Sequence, residues 1–307
     1  MRIGWNGGGS HTSLETLRDE AKQAAENGFS SLWLSQIAGP DALTAIAAIA
    51  ADAPGIELGT SIVPVYGRHP LVIAQQALTA QAACGGRLTL GIGASHQLVV
   101  EGMLGESYGR PFTRTRETFR ALRSLLAGEA AEIEGKEITA RGKLAIDAEP
   151  CPILISALGP RALELAGAEA DGTTLWMVGP NTVRDHIAPR IREAAAAADR
   201  PAPRILAGFP VCVTDDPAGA REHAAGALAM YGMLPAYRTT LDREGIEGPE
   251  GMLAAGSEDQ VRDHIAAFAE AGATDLRLSP MCANKADRER TLAFLCSIAG
   301  DRFIGNA

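Results

Sequence analysis

Short apolar and β-branched runs alternate with longer alanine-rich stretches along nearly the whole chain. The short runs predict strands at Arg2 to Trp5, Ser31 to Ser35, Ile56 to Ile62, Arg87 to Ile92, Pro152 to Ser156, Gly172 to Trp176, Ile205 to Val213 and Asp275 to Leu278. The stretches between them are amphipathic, and a Ser, Asp, Asn or Pro at the first-turn position announces several of the helices. These are predicted to begin near Ser13, Asp41, Leu71, Thr113, Arg161, Asn181, Pro217 and Asp287. Eight strand–helix pairs in a chain of this length predict an α/β fold, a closed (β/α)8 TIM barrel, in preference to an open doubly wound sheet. No GxGxxG stands at the first strand–helix turn, which disfavours a dinucleotide-binding Rossmann domain.

Three segments break the rhythm. The loop from Gly93 to Phe112 is long and glycine-rich, Ala131 to Asp147 reads as a hairpin inserted before the fifth strand, and Gly232 to Ala255 extends the seventh unit with extra helical turns. In a barrel, insertions at the C-terminal face of the strands build the mouth of the active site. No composition shift or Pro/Ser-rich linker divides the chain, so a single domain over residues 1–307 is expected.

Composition narrows the functional classes. With 307 residues, 46% of them hydrophobic, the chain can bury a sizeable core unaided, which excludes intrinsic disorder and a disulfide-framed module. The net charge of −9 argues against broad nucleic-acid binding, which needs cationic surface to displace counterions. Five cysteines lie far apart, with no CxxC pair and no histidine at a ligand spacing, so reduced thiols and no metal site are expected. The first ten residues lack the apolar core of a signal peptide, and no apolar run reaches the roughly 18 residues of a membrane span. A cytoplasmic protein without membrane contact follows as the expectation.

Several strand ends could carry chemistry. Gly59-Thr60-Ser61-Ile62 closes a strand with small polar residues, which reads either as an ordinary terminus with a bulge or as the wall of a ligand site. His96 follows Gly91-Ile92-Gly93-Ala94-Ser95, where glycines admit a ligand close to the backbone and a barrel places its catalytic groups; it reads as a structural histidine or as a proton relay near neutral pH. Ser156-Ala157-Leu158-Gly159-Pro160-Arg161 is either a plain strand–helix turn or an anion site made of free N–H groups and the helix dipole. His11, beyond the glycines ending the first strand, is a second candidate for the proton. Arg277 in the eighth strand could point into the barrel, where an unpaired cation is costly and a partner or an anionic ligand is expected.

The segment IELGTSIVPVYGRHPLVIAQQALTAQAACGGRLTLGIGASH (Ile56 to His96), together with NGFSSLWLS, ISALGPRALELAGAEADG and AGATDLRLSP, resembles the luciferase-like superfamily of flavin and deazaflavin oxidoreductases, in the branch that uses coenzyme F420. The resemblance implies a hydride transfer between the deazaflavin C5 and a small organic substrate. It places a cis peptide at Ser61–Ile62 against the coenzyme's central ring. It assigns Ser35, Gln36, Thr60, Ser61, Ile62 and Gly93 to the coenzyme site, with Ser156, Ala157, Leu158, Gly159 and Arg161 along the ribityl phosphate and Trp176, Met177 and Gly179 as a second wall. Trp176 reads equally as simple packing. Similar sugar-phosphate dehydrogenases carry a carboxylate acid/base at the position of His96, which makes His96 the favoured relay. Several relatives end the second strand with Ser-Asp-His, whereas this chain reads Ser35-Gln36-Ile37, and Gln36 cannot take a proton at neutral pH. Arg68, Arg110, Arg114 and Arg116 are the nearest cations for the coenzyme's phosphodiester and oligoglutamate tail. An FMN-dependent monooxygenase and a deazaflavin carrier without turnover are the rival functions. A homodimer is the expectation that relatives supply.

Overall fold

The computed structural model describes residues 1–7 and 13–300. Eight parallel strands close on themselves: β1 (Arg2–Gly7), β2 (Ser31–Leu34), β3 (Glu57–Thr60), β4 (Leu88–Gly93), β5 (Ile153–Ile155), β6 (Gly172–Thr174), β7 (Arg204–Val213) and β8 (Asp275–Pro280). Each pairs with the next, and β8 returns to β1 with Asp275 beside Arg2 and Leu278 beside Trp5. This is the (β/α)8 barrel expected from the pattern, with every strand within about three residues of its predicted bounds. The fold class therefore follows from periodicity alone.

Helix starts obey their capping chemistry. Ser13 accepts from the Thr16 N–H, Asp41 from Thr44, and Asn284 from Asp287. His69 caps Pro70–Ala83: its Nδ1 accepts from the Leu71 N–H at 3.2 Å and its Nε2 donates to the Thr139 carbonyl at 2.8 Å. Helix Glu258–Glu270 is an addition to the predicted set, although its signal was present: Ser257 and Gln260 form a reciprocal capping box. Its Val261, Ile265 and Phe268 join the main core, so it is the helix that covers β7. The helix at Pro217–Met233, expected in that role, opens the insertion instead. It shares a separate apolar cluster with helix Pro235–Glu244 and the turn Pro249–Met252, through Ala220, Ala224, Leu228, Leu241 and Met252.

The expected hairpin is present as Ala131–Glu134 against Thr139–Gly142. Its turn is pinned by the Glu117 carboxylate, which accepts the N–H groups of Lys136, Glu137 and Ile138 at 2.9, 2.8 and 3.0 Å. Burial disfavours the charged form of Glu117, but these three donors outweigh it and hold the carboxyl below its usual range.

The barrel lumen is layered. At the floor, the Arg204 guanidinium meets Glu57 and Asp275, each at 2.8 Å, and Arg2 closes the ring from outside. Above it sit Trp33, Leu154 and Leu206. Trp33 lies so close to Gly59 that a Cβ there would fall 2.2 Å from the indole, so a glycine is required. The top of the lumen opens into the cavity. Among the described residues no helix is long and apolar enough to cross a membrane.

Candidate active site

A cavity of about 1280 Å³ occupies the C-terminal end of the barrel, where a barrel gathers its chemistry. Its walls come from strand ends and from the insertions, and each part is held by its own hydrogen bonds.

At the end of β3 the Ser61–Ile62 peptide is cis, at the position the resemblance implied. Pairing stops at Thr60 and resumes at Val63–Pro64, which lies beside Ile92 and Gly93 of β4. Ser35 donates to the Ser61 carbonyl at 2.9 Å, and the Ser61 hydroxyl meets that of Thr174 on β6 at 2.8 Å. The step is thus tied to β2 on one side and to β6 across the lumen. Gln36 accepts the Ala42 N–H at 2.8 Å through its Oε1, which leaves its amide N–H₂ as the group it can offer a ligand.

His96 stands at the end of β4 as the residue before helix Gln97–Gly102, and its side chain does not cap that helix. It lines the cavity instead, 5.8 Å from the Tyr237 ring and 6.5 Å from that of Tyr231, centroid to centroid. Burial lowers its pKa from the ordinary imidazole value, so the ring is neutral at pH 7. Burial also raises both tyrosines, which stay protonated.

After β5, the turn Ser156 to Gly159 leads into helix Pro160–Ala168, which has Pro at its first turn and no side-chain cap. His186 supports this turn from behind. Its Nε2 donates to the Leu158 carbonyl at 2.8 Å, while Arg190 donates to its Nδ1 at 2.8 Å, an arrangement that fixes one neutral tautomer. After β6, Glu244 of the insertion accepts the N–H groups of Asn181 and Thr182 at 3.3 and 2.5 Å, fastening the insertion over the cavity.

Of the residues singled out from sequence, His96, Ser35, Gln36, Ser61, Ile62, Ser156, Leu158, Gly159 and Trp176 share this one cavity. Six others do not reach its wall. Thr60 is fully buried, with its hydroxyl bonded to the Gly91 carbonyl and N–H at 2.9 Å each. Ala157 and Met177 are buried in packing. Gly93 and Gly179 provide clearance: a Cβ on the first would meet Ser156 at 2.9 Å, and on the second the Glu244 carboxylate at 2.4 Å. Arg161 is exposed, stacked over Phe112 at 4.2 Å. His11 lies outside the described residues.

The arginines sort in the same way. Arg68 is engaged by Asp41 and Gln76, and Arg114 by Glu106 at 3.0 Å, both away from the cavity. Among the described residues, Arg277 and Arg288 are the cations that line it. Tyr231, Tyr237, Tyr108 and Phe112 also reach the cavity, and sequence reasoning had not selected them. Their signal was weak: aromatics inside insertions, marked only by an aromatic content of 5%.

Known proteins share this fold. The chain is 29% identical over 229 residues to 5,10-methylenetetrahydromethanopterin reductase of Methanolobus tindarius, covering 74% of this chain and 70% of that one. It is 29% identical over 272 residues to an F420-dependent glucose-6-phosphate dehydrogenase of Beutenbergia cavernae, covering 82% and 78%. In structure it superposes on an F420-dependent secondary alcohol dehydrogenase held with an F420–acetone adduct, with TM-score 0.81, 19% identity and 97% of both chains covered. The pattern of the luciferase-like monooxygenase family matches residues 2–275, and the chain belongs to that family.

Proposed function

We propose that this protein is an F420-dependent oxidoreductase acting on a small organic substrate, with His96 as its proton relay. The observation that carries the reading is the cavity that unites Ser61 and Ile62 at the end of β3, the turn after β5 and His96. The residues present suit the coenzyme. Ile62, Leu158 and Phe112 offer apolar walls to a planar ring, the Gln36 amide offers donors to its carbonyls, and the N–H groups opening helix Pro160–Ala168 suit a phosphate. When bound, F420 supplies two-electron chemistry as hydride transfer at its C5.

The chain's own groups do the rest. Ser156 to Gly159, held from behind by His186, orient the phosphate-bearing chain. Tyr231, Tyr237 and Trp176 keep water from the inner cavity. His96, neutral near pH 7, can take a proton at a ring nitrogen or return it to a substrate oxygen, the task that Gln36 cannot perform. A cytoplasmic homodimer is part of the same reading, and sedimentation of the purified protein tests the dimer.

Titration with oxidised F420, FMN and NADP decides the coenzyme. The expected outcome is saturable quenching of F420 fluorescence at micromolar or lower concentration and no binding of NADP. Stoichiometric FMN binding with no F420 quenching would replace the reading with a flavin monooxygenase. Tight F420 binding with no spectral change across a substrate panel would replace it with a carrier.

A further inference from the structure

The lumen holds two arginines, Arg204 half-buried and Arg277 fully buried, and the chain treats them differently. Asp275 and Arg277 are two residues apart on β8 and so face the same way, into the barrel. At the floor, Arg204 is neutralised by Asp275 and Glu57. One layer up, Arg277 is 3% exposed, and no Asp or Glu among the described residues forms an ion pair with it. It donates to the Asn6 side chain and, at 3.3 Å, to the Leu175 carbonyl, both neutral acceptors. Its Nε has no hydrogen-bond partner among the described residues. The guanidinium lies 4.9 Å over the Trp176 ring and lines the cavity.

Space for this side chain is provided by the neighbouring strand β7. The register partners of Arg277 are Gly4 on β1 and Gly208 on β7, and a Cβ on Gly208 would meet the guanidinium at 2.8 Å. Burial pulls the arginine pKa down to about 10, yet leaves it charged at neutral pH. An uncompensated buried cation costs stability, and a chain that elsewhere pairs such a group retains it here for a ligand.

We propose that Arg277 anchors an anionic group of the substrate, a carboxylate or a phosphate ester, so that the enzyme acts on organic anions; this rests on the coenzyme reading given above. Position separates the anchor from the coenzyme wall. Around eight strands, β8 lies opposite β4, whereas the coenzyme features named above sit at the ends of β2 to β5. A substrate held by its anionic end at Arg277 reaches across the cavity toward His96. The Arg277 Nε is buried without a hydrogen-bond partner among the described residues, and a guanidinium suits an anion with two oxygens.

The test compares wild type, Arg277→Met and Arg277→Lys as full chains. Calorimetry follows benzoate, phenyl phosphate and the neutral isostere benzamide, first without coenzyme and then with F420 bound. Wild type should bind one of the anions at least tenfold more tightly than benzamide, with benzoate preferred for a carboxylate site and phenyl phosphate for a phosphate site. Arg277→Met should abolish that preference and Arg277→Lys should retain part of it, while F420 affinity stays within threefold in both. Unliganded Arg277→Met should melt above wild type, because a stranded charge has been removed. Equal binding of benzamide and both anions by wild type overturns the proposal, as does a preference that survives Arg277→Met. A tenfold loss of F420 affinity in Arg277→Met reassigns the arginine to the coenzyme, and a melting temperature below wild type marks it as structural; either result overturns the proposal. Failure of wild type to bind F420 overturns the coenzyme reading instead, and the anion titrations still decide Arg277.

Discussion

Arg204 on β7 and Asp275 on β8 meet at 2.8 Å at the floor of the barrel, and Glu57 of β3 reaches the same guanidinium at 2.8 Å from the other side. Strands that are remote in sequence are thereby cross-linked where the lumen would otherwise be open. Arg204→Met leaves two carboxylates without their main partner, and a loss of about 3–5 kcal/mol is expected, the usual result of breaking a buried pair. Urea unfolding measures it. A change under about 1 kcal/mol would show that Arg2 alone suffices.

The same cluster sets an acid limit. Burial opposes the charge on Glu57, but hydrogen bonds and charge from Arg204, with help from Thr89 and Arg2, hold its carboxyl below the usual glutamate range. A group depressed in this way stabilises the fold above its unfolded pKa of about 4.3 and loses that contribution as pH falls through the folded value. Wild type should therefore lose stability on acidification below roughly pH 4.5, with a shallower dependence in Arg204→Met. Identical pH profiles of the two proteins would exclude Glu57 as the source.

Gly91 on β4 has no room for a methyl group: a Cβ would lie 2.0 Å from the Thr60 carbonyl oxygen, a backbone atom that cannot swing away. Gly91→Ala must separate β3 from β4 beside the Ser61–Ile62 step. The expected cost is above about 2 kcal/mol, read as a melting temperature lower by roughly 3 °C or more. Wild-type stability in the variant would mean that the two strands are free to part.

For His96, binding and chemistry should separate. His96→Ala is expected to keep F420 affinity within a few fold while turnover falls by roughly 10² to 10⁴, the usual contribution of a positioned acid or base. Because burial lowers the imidazole pKa, the acidic limb of the wild-type profile should lie below the free value of about 6.5. If the neutral ring accepts the proton, activity falls as pH drops through that lowered pKa, and the variant lacks the limb. Turnover within a few fold of wild type, with the limb intact, would assign the proton elsewhere.

His186 meets the turn Ser156 to Gly159 through a hydrogen bond to the Leu158 carbonyl, so under the proposed function it acts as a positioning residue. His186→Phe removes two hydrogen bonds, the one to Leu158 and the one from Arg190, and through loss of the first F420 affinity should weaken roughly two- to tenfold, the range of a single net bond. Faster hydrogen exchange in the turn Ser156 to Gly159 should accompany it. Weaker binding with unchanged exchange would contradict the positioning role.

Periodicity alone was enough to place the eight strands, the hairpin at Ala131–Gly142 and the closed barrel, because strand and helix periods are local properties of the chain. Strand-end logic likewise reached His96, Ser61 and the Ser156 to Gly159 turn, since a barrel delivers all its strand ends to one face. The pairing of charges was not legible. Arg204 and Arg277 look alike in sequence, and whether a carboxylate faces each depends on register between strands up to 271 residues apart. Nor could sequence show that helix Pro217–Met233 leaves the barrel for its own apolar cluster, or that Tyr231 and Tyr237 come to flank His96. Alanine-rich helices carry the same pattern whichever surface they cover, and only packing in three dimensions selects the partner.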